Sequence, residues 1–167
     1  SDVCSSDLSQ VNLHLAKGAK IKFNTDPKKF LPPVFSRDVA EMMNYSPLVY
    51  AFEQHDIAIT GEGTLDGQAS KSVWPDFVAK SKPDEQRQTE LGNKEVPVVQ
   101  RIFGEGHFVR PHFVQPVRCR NVLIEGVRVR RSPMWEIHPV LCTNVIVRGL
   151  DIKSHGANND GCDPESC

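Results

Sequence analysis

Short runs of alternating apolar and polar residues recur along this chain of 167 residues. Alternation with many β-branched residues is typical of half-buried strands. Spacing typical of helices is scarce, although RDVAEMMNY (37–45) predicts one short helix. The strand-like runs are QVNLHL (10–15), AKIKF (19–23), DIAITGEGTLDG (56–67), NVLIEGVRVRR (121–131) and NVIVRGLDIKS (144–154). We therefore predict an all-β protein.

The last two runs align without a gap at a constant offset of 23 residues. Gly126 falls on Gly149 and Asn121 on Asn144, and Gly61 takes the corresponding place in an earlier run. A fixed period in this range indicates stacked repeats that cover one another. Two short strands per repeat, without a leucine-rich signature, favour a right-handed single-stranded parallel β-helix with one coil per repeat.

The alternation also predicts where the side chains of these coils point. Asn121 and Asn144 are expected to form an internal ladder of amide hydrogen bonds. Glu125 and Arg148 are expected on the outer surface. The side chains expected inside are those of Val122, Ile124, Val145 and Val147.

The chain divides into a leader and one domain. Residues 1–8 show no apolar period, and we interpret them as a non-native leader. Residues 9–167 are interpreted as an incomplete β-helix domain, N-terminal coils only. The strand pattern fails at about 68–103, a polar segment too long for a plain turn. We expect a partly helical insertion, with its helix around 84–91, that is either a solvated flap or a wall of a substrate cleft.

Composition excludes several classes of protein. The formal net charge of −1, with 25% charged residues, leaves no basic surface for nucleic acid. No apolar run approaches the length of a membrane span. The cysteines are odd in number and lack zinc-finger spacing, although Cys162 and Cys167 could pair. No metal site and no cofactor is predicted.

The residues that could carry chemistry lie in SHGANNDGCDPESC (154–167). By the repeat offset, this stretch leaves the coil at its edge, where side chains can face solvent. Its NNDG run permits a sharp turn and is equally typical of an Asx turn between coils. A calcium loop is excluded, because a glycine stands where the first Asp is required. His138 and His155 flank the stretch without metal-ligand spacing.

Two further features each allow a binding role or a structural role. Arg128, Arg130 and Arg131 interleave with valines, which indicates an exposed strand face or an anion-binding groove. Trp135 lies 23 residues before Asn158, hence one coil beneath the candidate site. Its ring could pack against a sugar or inside the protein.

Four segments carry a family resemblance: FNTDPKKFLPPVFSR (23–37), ITGEGTLDGQAS (59–70), FGEGHFVRPHFVQPVRCRNVLIEGV (103–127) and SPMWEIHPVLCTNVIVRGLDIKSHGANNDGCDPESC (132–167). In this order they resemble the bacterial branch of the polygalacturonase family, glycoside hydrolase family 28. The likeness covers nearly everything from about Val11 onward. It implies hydrolysis of α-1,4 bonds between galacturonic acid units, with inversion at the anomeric carbon.

The resemblance also implies roles for single residues. The family motif Asn-x-Asp-Gly is matched by NNDG, which makes Asp160 the catalytic carboxylate that helps to activate water. Asn158 would shape the substrate site, with Asp163 and His155 close by to bind substrate. Independently of the resemblance, Arg110 could pair with an anionic sugar or with a neighbouring acid.

The family's Asp-Asp pair, Gly-His-Gly and Arg-x-Lys would come after Cys167. We therefore interpret the chain as an N-terminal fragment of a pectin-degrading glycoside hydrolase, inactive in isolation. The expected partner is the polysaccharide substrate, with neither nucleic acid nor membrane. The intact enzyme is expected to be a monomer, secreted or periplasmic because its polymer lies outside the cell.

Other functions stay open at this stage. A hydrolase of the same family could act on rhamnogalacturonan or a substituted galacturonan. A calcium-dependent polysaccharide lyase would need an Asp cluster and an Arg base, which the sequence does not show. A non-catalytic β-helix, such as an adhesin or a carbohydrate-binding protein, could use the same coils without Asp160.

Overall fold

The structure is a computed structural model that describes residues 4–5, 9–70 and 74–167. No helix in these ranges is long and apolar enough to pass through a membrane. The helices are α1 (Pro75–Lys80) and α2 (Lys82–Asn93), with 3₁₀ turns at Pro27–Phe30 and Val98–Gln100. The strands are β1 (Cys4–Ser5), β2 (Asn12–Leu15), β3 (Lys20–Lys22), β4 (Val34–Arg37), β5 (Glu41–Asn44), β6 (Val49–Phe52), β7 (His55–Gly61), β8 (Thr64–Asp66), β9 (Ile102–Phe103), β10 (Val114–Val117), β11 (Arg120–Glu125), β12 (Arg128–Arg130), β13 (Thr143–Arg148) and β14 (Asp151–Lys153).

Strands of successive coils pair in parallel and build the walls of the domain. One wall has the order β13-β11-β7-β2, the next β14-β12-β8-β3, and another β10-β6-β1. Val122 pairs with Val145 and Val129 with Ile152, so the offset predicted from the sequence is the actual register of the coils. The fold is the predicted right-handed parallel β-helix.

The inward strand positions close over one apolar core. Ile124 is 1% exposed and Val122 is 4% exposed, and Leu65 of the preceding coil is buried with them. Val145 and Val147 are half-buried and pack against the same core from the next coil. The inward directions predicted from the alternation are therefore confirmed.

The outer surface carries polar ladders. Arg148 Nε donates to Glu125 Oε1 at 2.9 Å, which confirms the outward direction of both side chains. Asn144 Nδ2 donates to Asn121 Oδ1 at 2.9 Å, and Asn121 in turn donates to Asp56. The asparagine ladder exists, but its predicted internal position is wrong, because both asparagines are exposed. Both have left-handed backbone, with φ of 55° and 57°, which interrupts the strand alternation at the second residue of β11 and of β13 and turns the side chains outward.

Glycines stack at the corner between the two adjoining walls. Gly61, Gly126 and Gly149 all have positive φ, at 107°, 79° and 64°. A Cβ atom on Gly61 would lie 2.1 Å from the carbonyl oxygen of Leu15, and one on Gly126 would lie 2.7 Å from the carbonyl oxygen of Gly61. Gly61 and Gly126 are therefore required by close approach of the backbones as well as by φ, whereas Gly149 is required by φ alone.

The insertion lies between β8 and β10, where the chain leaves the coil stack. The helix predicted around 84–91 is confirmed as part of α2, and α1 precedes it. After α2, β9 pairs in parallel with β5 and so ties the insertion to the hairpin formed by β4 and β5. The chain then returns to the coils at β10.

The helix predicted at 37–45 is wrong. Residues 41–44 form β5, which pairs antiparallel with β4. Met42 and Asn44 are each 1% exposed while Met43 between them is less buried, so burial alternates as in a strand. The physical reason is tertiary packing, because Met42 is buried against Phe103 at the end of the insertion.

Residues 1–8 are described only at Cys4 and Ser5, which form β1 beside β6. The interpretation of this segment as a leader otherwise falls outside the described residues. The suggested pairing of Cys162 with Cys167 is not formed, and both are free thiols. Cys167 instead stacks on the preceding coil, where its sulfur accepts the N–H of Cys142 at 3.4 Å.

Candidate active site

The candidate site is the loop of residues 154–161, which follows β14 at a corner of the last described coil. After the loop, Cys162 pairs in parallel with Ile137, so the chain rejoins the wall that contains β10. The N–H of Glu136 donates to the carbonyl oxygen of Asp160 at 3.0 Å. Asp160 is thus held by its backbone directly above the previous coil, and its side chain is left free for chemistry.

The side chains of the NNDG run divide into one that holds the loop and others that face solvent. Asn159 Nδ2 donates to the carbonyl oxygens of Ser132 and Met134 at 3.1 and 3.2 Å, which ties the loop to the coil beneath. Asn158 and Asp160 are exposed. Among the described residues, no side-chain hydrogen bond engages the Asp160 carboxylate. A purely structural Asx turn would have used that carboxylate.

Arg110 reaches the loop from the segment that precedes β10. Its guanidinium donates to the carbonyl oxygens of Pro133 and Ala157, both at 2.8 Å, and to Asn158 Oδ1 at 2.9 Å. The structure thus brings Arg110 and Asn158 together, as the sequence predicted for one site. The arginine holds the loop backbone at Ala157, 47 residues further along the chain, a contact that no local pattern reveals.

Asp163 and His155 have different positions relative to Asp160. Asp163 is half-buried, and its Oδ2 has no hydrogen-bond partner among the described residues. Burial first, and then the charge of Asp160, raise the pKa of Asp163, which places the two carboxyl groups in one electrostatic environment. His155 lies exposed on the loop, and its role in substrate binding stays a prediction.

Glu136 is a carboxyl group beneath the loop that sequence reasoning missed. It is fully buried, and neither carboxylate oxygen has a hydrogen-bond partner of ordinary geometry among the described residues. Burial raises its pKa, the Ser154 hydroxyl opposes that shift, and the charges of Asp160 and Asp163 add to it. The sequence did offer one indication of a buried acid: Glu136 is the single acidic residue in the largely apolar run PMWEIHPV (133–140).

The buried Glu136 predicts a dependence of stability on pH. An unfolded glutamate ionises near pH about 4.3. Because the folded pKa is raised, stability from this residue is present below that pH and is lost as the pH rises through the folded pKa. In Glu136→Gln, the loss of stability between about pH 4 and pH 7 is expected to shrink by about 1–3 kcal/mol. Urea unfolding of the full-length protein at both pH values measures this difference.

The matched control for this experiment is Glu125→Gln, which removes a glutamate from the outer surface. This variant is expected to keep the pH dependence of the wild type within about 0.5 kcal/mol. A Glu136→Gln variant with the same pH dependence as the wild type would contradict an ionisable group buried at this position.

His138 belongs to a buried polar network on the wall next to the loop. Gln115 Nε2 donates to His138 Nδ1 at 2.9 Å, so the Nε2–H of His138 points to Glu165 at 3.3 Å. Glu165 also accepts from Arg37 of β4. Burial lowers the pKa of His138, and Glu165 opposes that effect. This histidine therefore fixes β4 to the coils and does not face the cleft.

The arginines of β12 and the following Arg131 lie on the outer surface and are held by contacts to neighbouring coils. Arg131 forms a two-bond ion pair with Asp66, and Arg130 contacts Asp151. Arg128 donates to a carbonyl oxygen of the preceding coil. These contacts favour the structural role over an anion-binding groove.

A pocket of about 350 Å³ opens beside the loop. Trp135 lies on its coil side, as expected for a residue one coil beneath the site, and α2 forms the opposite side. The described residues that line it are Asp38, Val39, Ser81, Glu85, Gln88, Phe108, Val109, Arg110, Met134, Trp135 and Asn158. The insertion thus forms one side of this pocket, and its role as a wall of a substrate cleft stays a prediction.

Known structures share this architecture. The chain superimposes on the crystal structure of a hyperthermoactive exopolygalacturonase from Thermotoga maritima with a TM-score of 0.91 and 48% sequence identity. The match covers 95% of this chain and 38% of that chain. The fold is the parallel β-helix of this exopolygalacturonase, and the carboxylate loop lies on the last described coil. More narrowly, the chain belongs to the polygalacturonase family, glycoside hydrolase family 28.

Two structures of lower identity share the fold. A polygalacturonase from Erwinia carotovora has a TM-score of 0.62 and 21% identity over 93% of this chain and 39% of that one. A putative glycosyl hydrolase from Parabacteroides merdae has a TM-score of 0.63 and 19% identity over 95% of this chain and 58% of that one. No family model matches the sequence, and no curated protein matches it either.

Proposed function

We propose that the full-length protein hydrolyses the α-1,4 bonds between galacturonic acid units of pectin, with inversion at the anomeric carbon. The proposal is supported by 48% identity to an exopolygalacturonase along 95% of this chain. Because the chain spans 38% of the length of that relative, the activity is assigned to the whole protein.

The observation that carries the proposal is the exposed Asp160 carboxylate on a braced loop. Asn159 and Arg110 fix the loop from two sides, so the carboxylate is held in position without being consumed by a structural contact. A general base must reach a water molecule beside the substrate, and an exposed carboxyl group at the edge of a cleft meets that requirement.

Inversion requires a second carboxyl group that protonates the leaving oxygen across the bond. Glu136 is fully buried and Asp163 is half-buried, so neither is well placed to reach a glycosidic oxygen. The family resemblance assigns the acid to the Asp-Asp pair, one coil beyond residues 154–167. In a parallel stack that coil would lie directly against the loop, because equivalent positions of adjacent coils are about 4.8 Å apart.

The experiment is hydrolysis of polygalacturonate by the purified full-length protein, followed by proton NMR of the first products. We expect reducing sugars to form and the new anomeric centres to be β before mutarotation, because an α linkage is inverted. Rhamnogalacturonan, tested in parallel, addresses the other substrate of this family. Absence of hydrolysis of either polymer would contradict the proposed activity and favour a non-catalytic β-helix.

We further propose that the protein works outside the cytoplasm, secreted or periplasmic, and as a monomer. The reason for the location is the proposed substrate, a cell-wall polymer too large to enter the cell. Fractionation of the native host and light scattering of the purified protein measure these two properties. Protein confined to the cytoplasm, or a stable oligomer, would contradict them.

A further inference from the structure

The pocket beside the loop is formed by parts of the chain that lie far apart in sequence. The turn after β4 contributes Asp38, α2 contributes Glu85 and Gln88, and the coils contribute Arg110 and Trp135. Its volume of about 350 Å³ is at the lower end of small-molecule sites and leaves room for a single sugar ring. Asn158, two residues before Asp160, is also part of its lining. A sugar in this pocket would therefore be next to the candidate catalytic carboxylate.

One side of the pocket offers an aromatic surface. Trp135 is only partly exposed, and its ring stacks on His112 with 5.1 Å between ring centroids. His112 is itself fully buried, so the indole rests on a fixed partner. An indole held in this way lines the pocket with a rigid apolar surface, against which the C–H face of a sugar can pack.

The opposite side offers hydrogen-bond acceptors. Gln88 is 1% exposed, its Nε2 donates to Asp38 Oδ2 at 3.4 Å, and its Oε1 has no partner among the described residues. Glu85 accepts a hydrogen bond from Ser81 at 2.7 Å and keeps further lone pairs. The carboxylates of Asp38 and Glu85 can therefore accept hydrogen bonds from donors of a ligand on this side. Sugar hydroxyl groups are such donors.

The charge of the pocket limits which sugar can enter. Asp38 and Glu85 are its carboxylates, and Arg110 is the one cation among its described lining residues. The guanidinium already donates to Pro133, Ala157 and Asn158, so little of it is left for a ligand. Burial first, and the charge of Glu85 in addition, raise the pKa of Asp38, so this environment already opposes negative charge. A further carboxylate in the pocket would be repelled.

We propose that this pocket binds one uncharged sugar ring of the substrate chain, either a methyl-esterified galacturonate or a neutral hexose. The identity of the polymer rests on the proposed function, whereas the preference for an uncharged ring rests on the pocket. Trp135 packs against the ring, and Asp38 and Glu85 accept its hydroxyl groups. A free galacturonate carboxylate is the group that this site rejects.

Calorimetric titration of the full-length Asp160→Asn variant tests the proposal without turnover. The ligands are α-1,4-linked trigalacturonate, its methyl ester and neutral galactotriose of the same linkage. We expect at least one uncharged ligand to bind about tenfold more tightly than the free acid in low salt, with a smaller ratio in high salt. Whichever uncharged ligand binds more tightly shows whether the ring is a methyl-esterified galacturonate or a neutral hexose. Equal or tighter binding of the free acid would overturn the proposal.

The double variant Asp38→Asn/Glu85→Gln assigns the preference to the pocket. It keeps the size of both side chains, and we expect the ratio of affinities to fall to about twofold or less. The control is Glu62→Gln, a carboxylate on the coil surface that pairs with Lys17 and does not line the pocket. An unchanged ratio in the double variant, or an equal fall in the control, would overturn the assignment.

Failure of this inference is distinguishable from failure of the proposed function. If the wild-type protein cleaves polygalacturonate but the ligands bind without preference, only the pocket assignment is lost. If the preference is present but no galacturonan is cleaved, the pocket is a sugar-binding site and the hydrolase proposal is lost.

Discussion

The full-length Asp160→Asn variant is expected to cleave galacturonan about 10³-fold more slowly than the wild type, with an unchanged unfolding transition. The amide keeps the size of the side chain but cannot accept a proton from water. Folding is expected to be unaffected, because the loop is held by Asn159, Arg110 and the backbone carbonyl of Asp160. Initial rates on polygalacturonate and a thermal unfolding curve measure the two effects.

The matched control is Asp151→Asn, an exposed aspartate on β14 of the same coil. Asp151 pairs with Arg130 on the outer surface, where solvent screens the pair, so its loss is expected to leave the unfolding transition nearly unchanged and to change the rate by less than about twofold. An Asp160→Asn variant that keeps wild-type activity would remove the catalytic role of Asp160. A parallel loss of activity in Asp151→Asn would attribute both effects to the fold of the coil.

The largest effect on stability is expected for Gly61→Ala, with a loss of about 4 kcal/mol or more. The new methyl group would lie 2.1 Å from the carbonyl oxygen of Leu15, a backbone atom that cannot move without breaking the pairing of β2 with β7. The residue would also have to keep a φ of 107°, a region that side chains rarely adopt. Circular dichroism during heating and the yield of soluble protein measure the effect.

Two other glycines separate the causes of this loss. Gly149→Ala shares the positive φ but has no backbone atom closer than 3.8 Å, so a cost of about 1–2 kcal/mol is expected. Gly92 lies in α2, where a methyl group would meet Ala40 at an ordinary 3.7 Å, and Gly92→Ala is expected to stabilise by about 0.5–1 kcal/mol. Equal effects of Gly61→Ala and Gly149→Ala would contradict the close approach of the backbones as the cause.

The repeat could be recognised from sequence because a β-helix places the same chemistry on every coil. Each coil contacts only its neighbours and repeats their backbone conformation. Gly126 and Gly149, 23 residues apart, therefore both occupy the positive-φ position of their coils. The NNDG turn was visible for a similar reason, since a turn is defined by consecutive residues. The right pairing partners, the inward valines and the loop with Asp160 therefore followed from local pattern.

The errors lie where the local pattern is weak or is interrupted. In 37–45 no clear period favours helix or strand, and contact with Phe103 decides for β5. At Asn121 and Asn144 the left-handed backbone interrupts the alternation, so an extrapolation from the neighbouring valines placed both side chains on the wrong side. Strand periodicity predicts directions only where the backbone is extended, and it fails beyond a left-handed residue even within a strand.

By itself the sequence determined the class of fold, the coil period, the glycine corners and the loop that presents Asp160, because each depends on neighbouring residues or on one repeated offset. Tertiary structure alone decided that Glu136 is buried beneath the loop, that Arg110 braces it, and that α2 and the β4–β5 turn complete a pocket. These features join residues separated by tens of positions without a period. Their contacts exist only after the coils have stacked and the insertion has folded back over them.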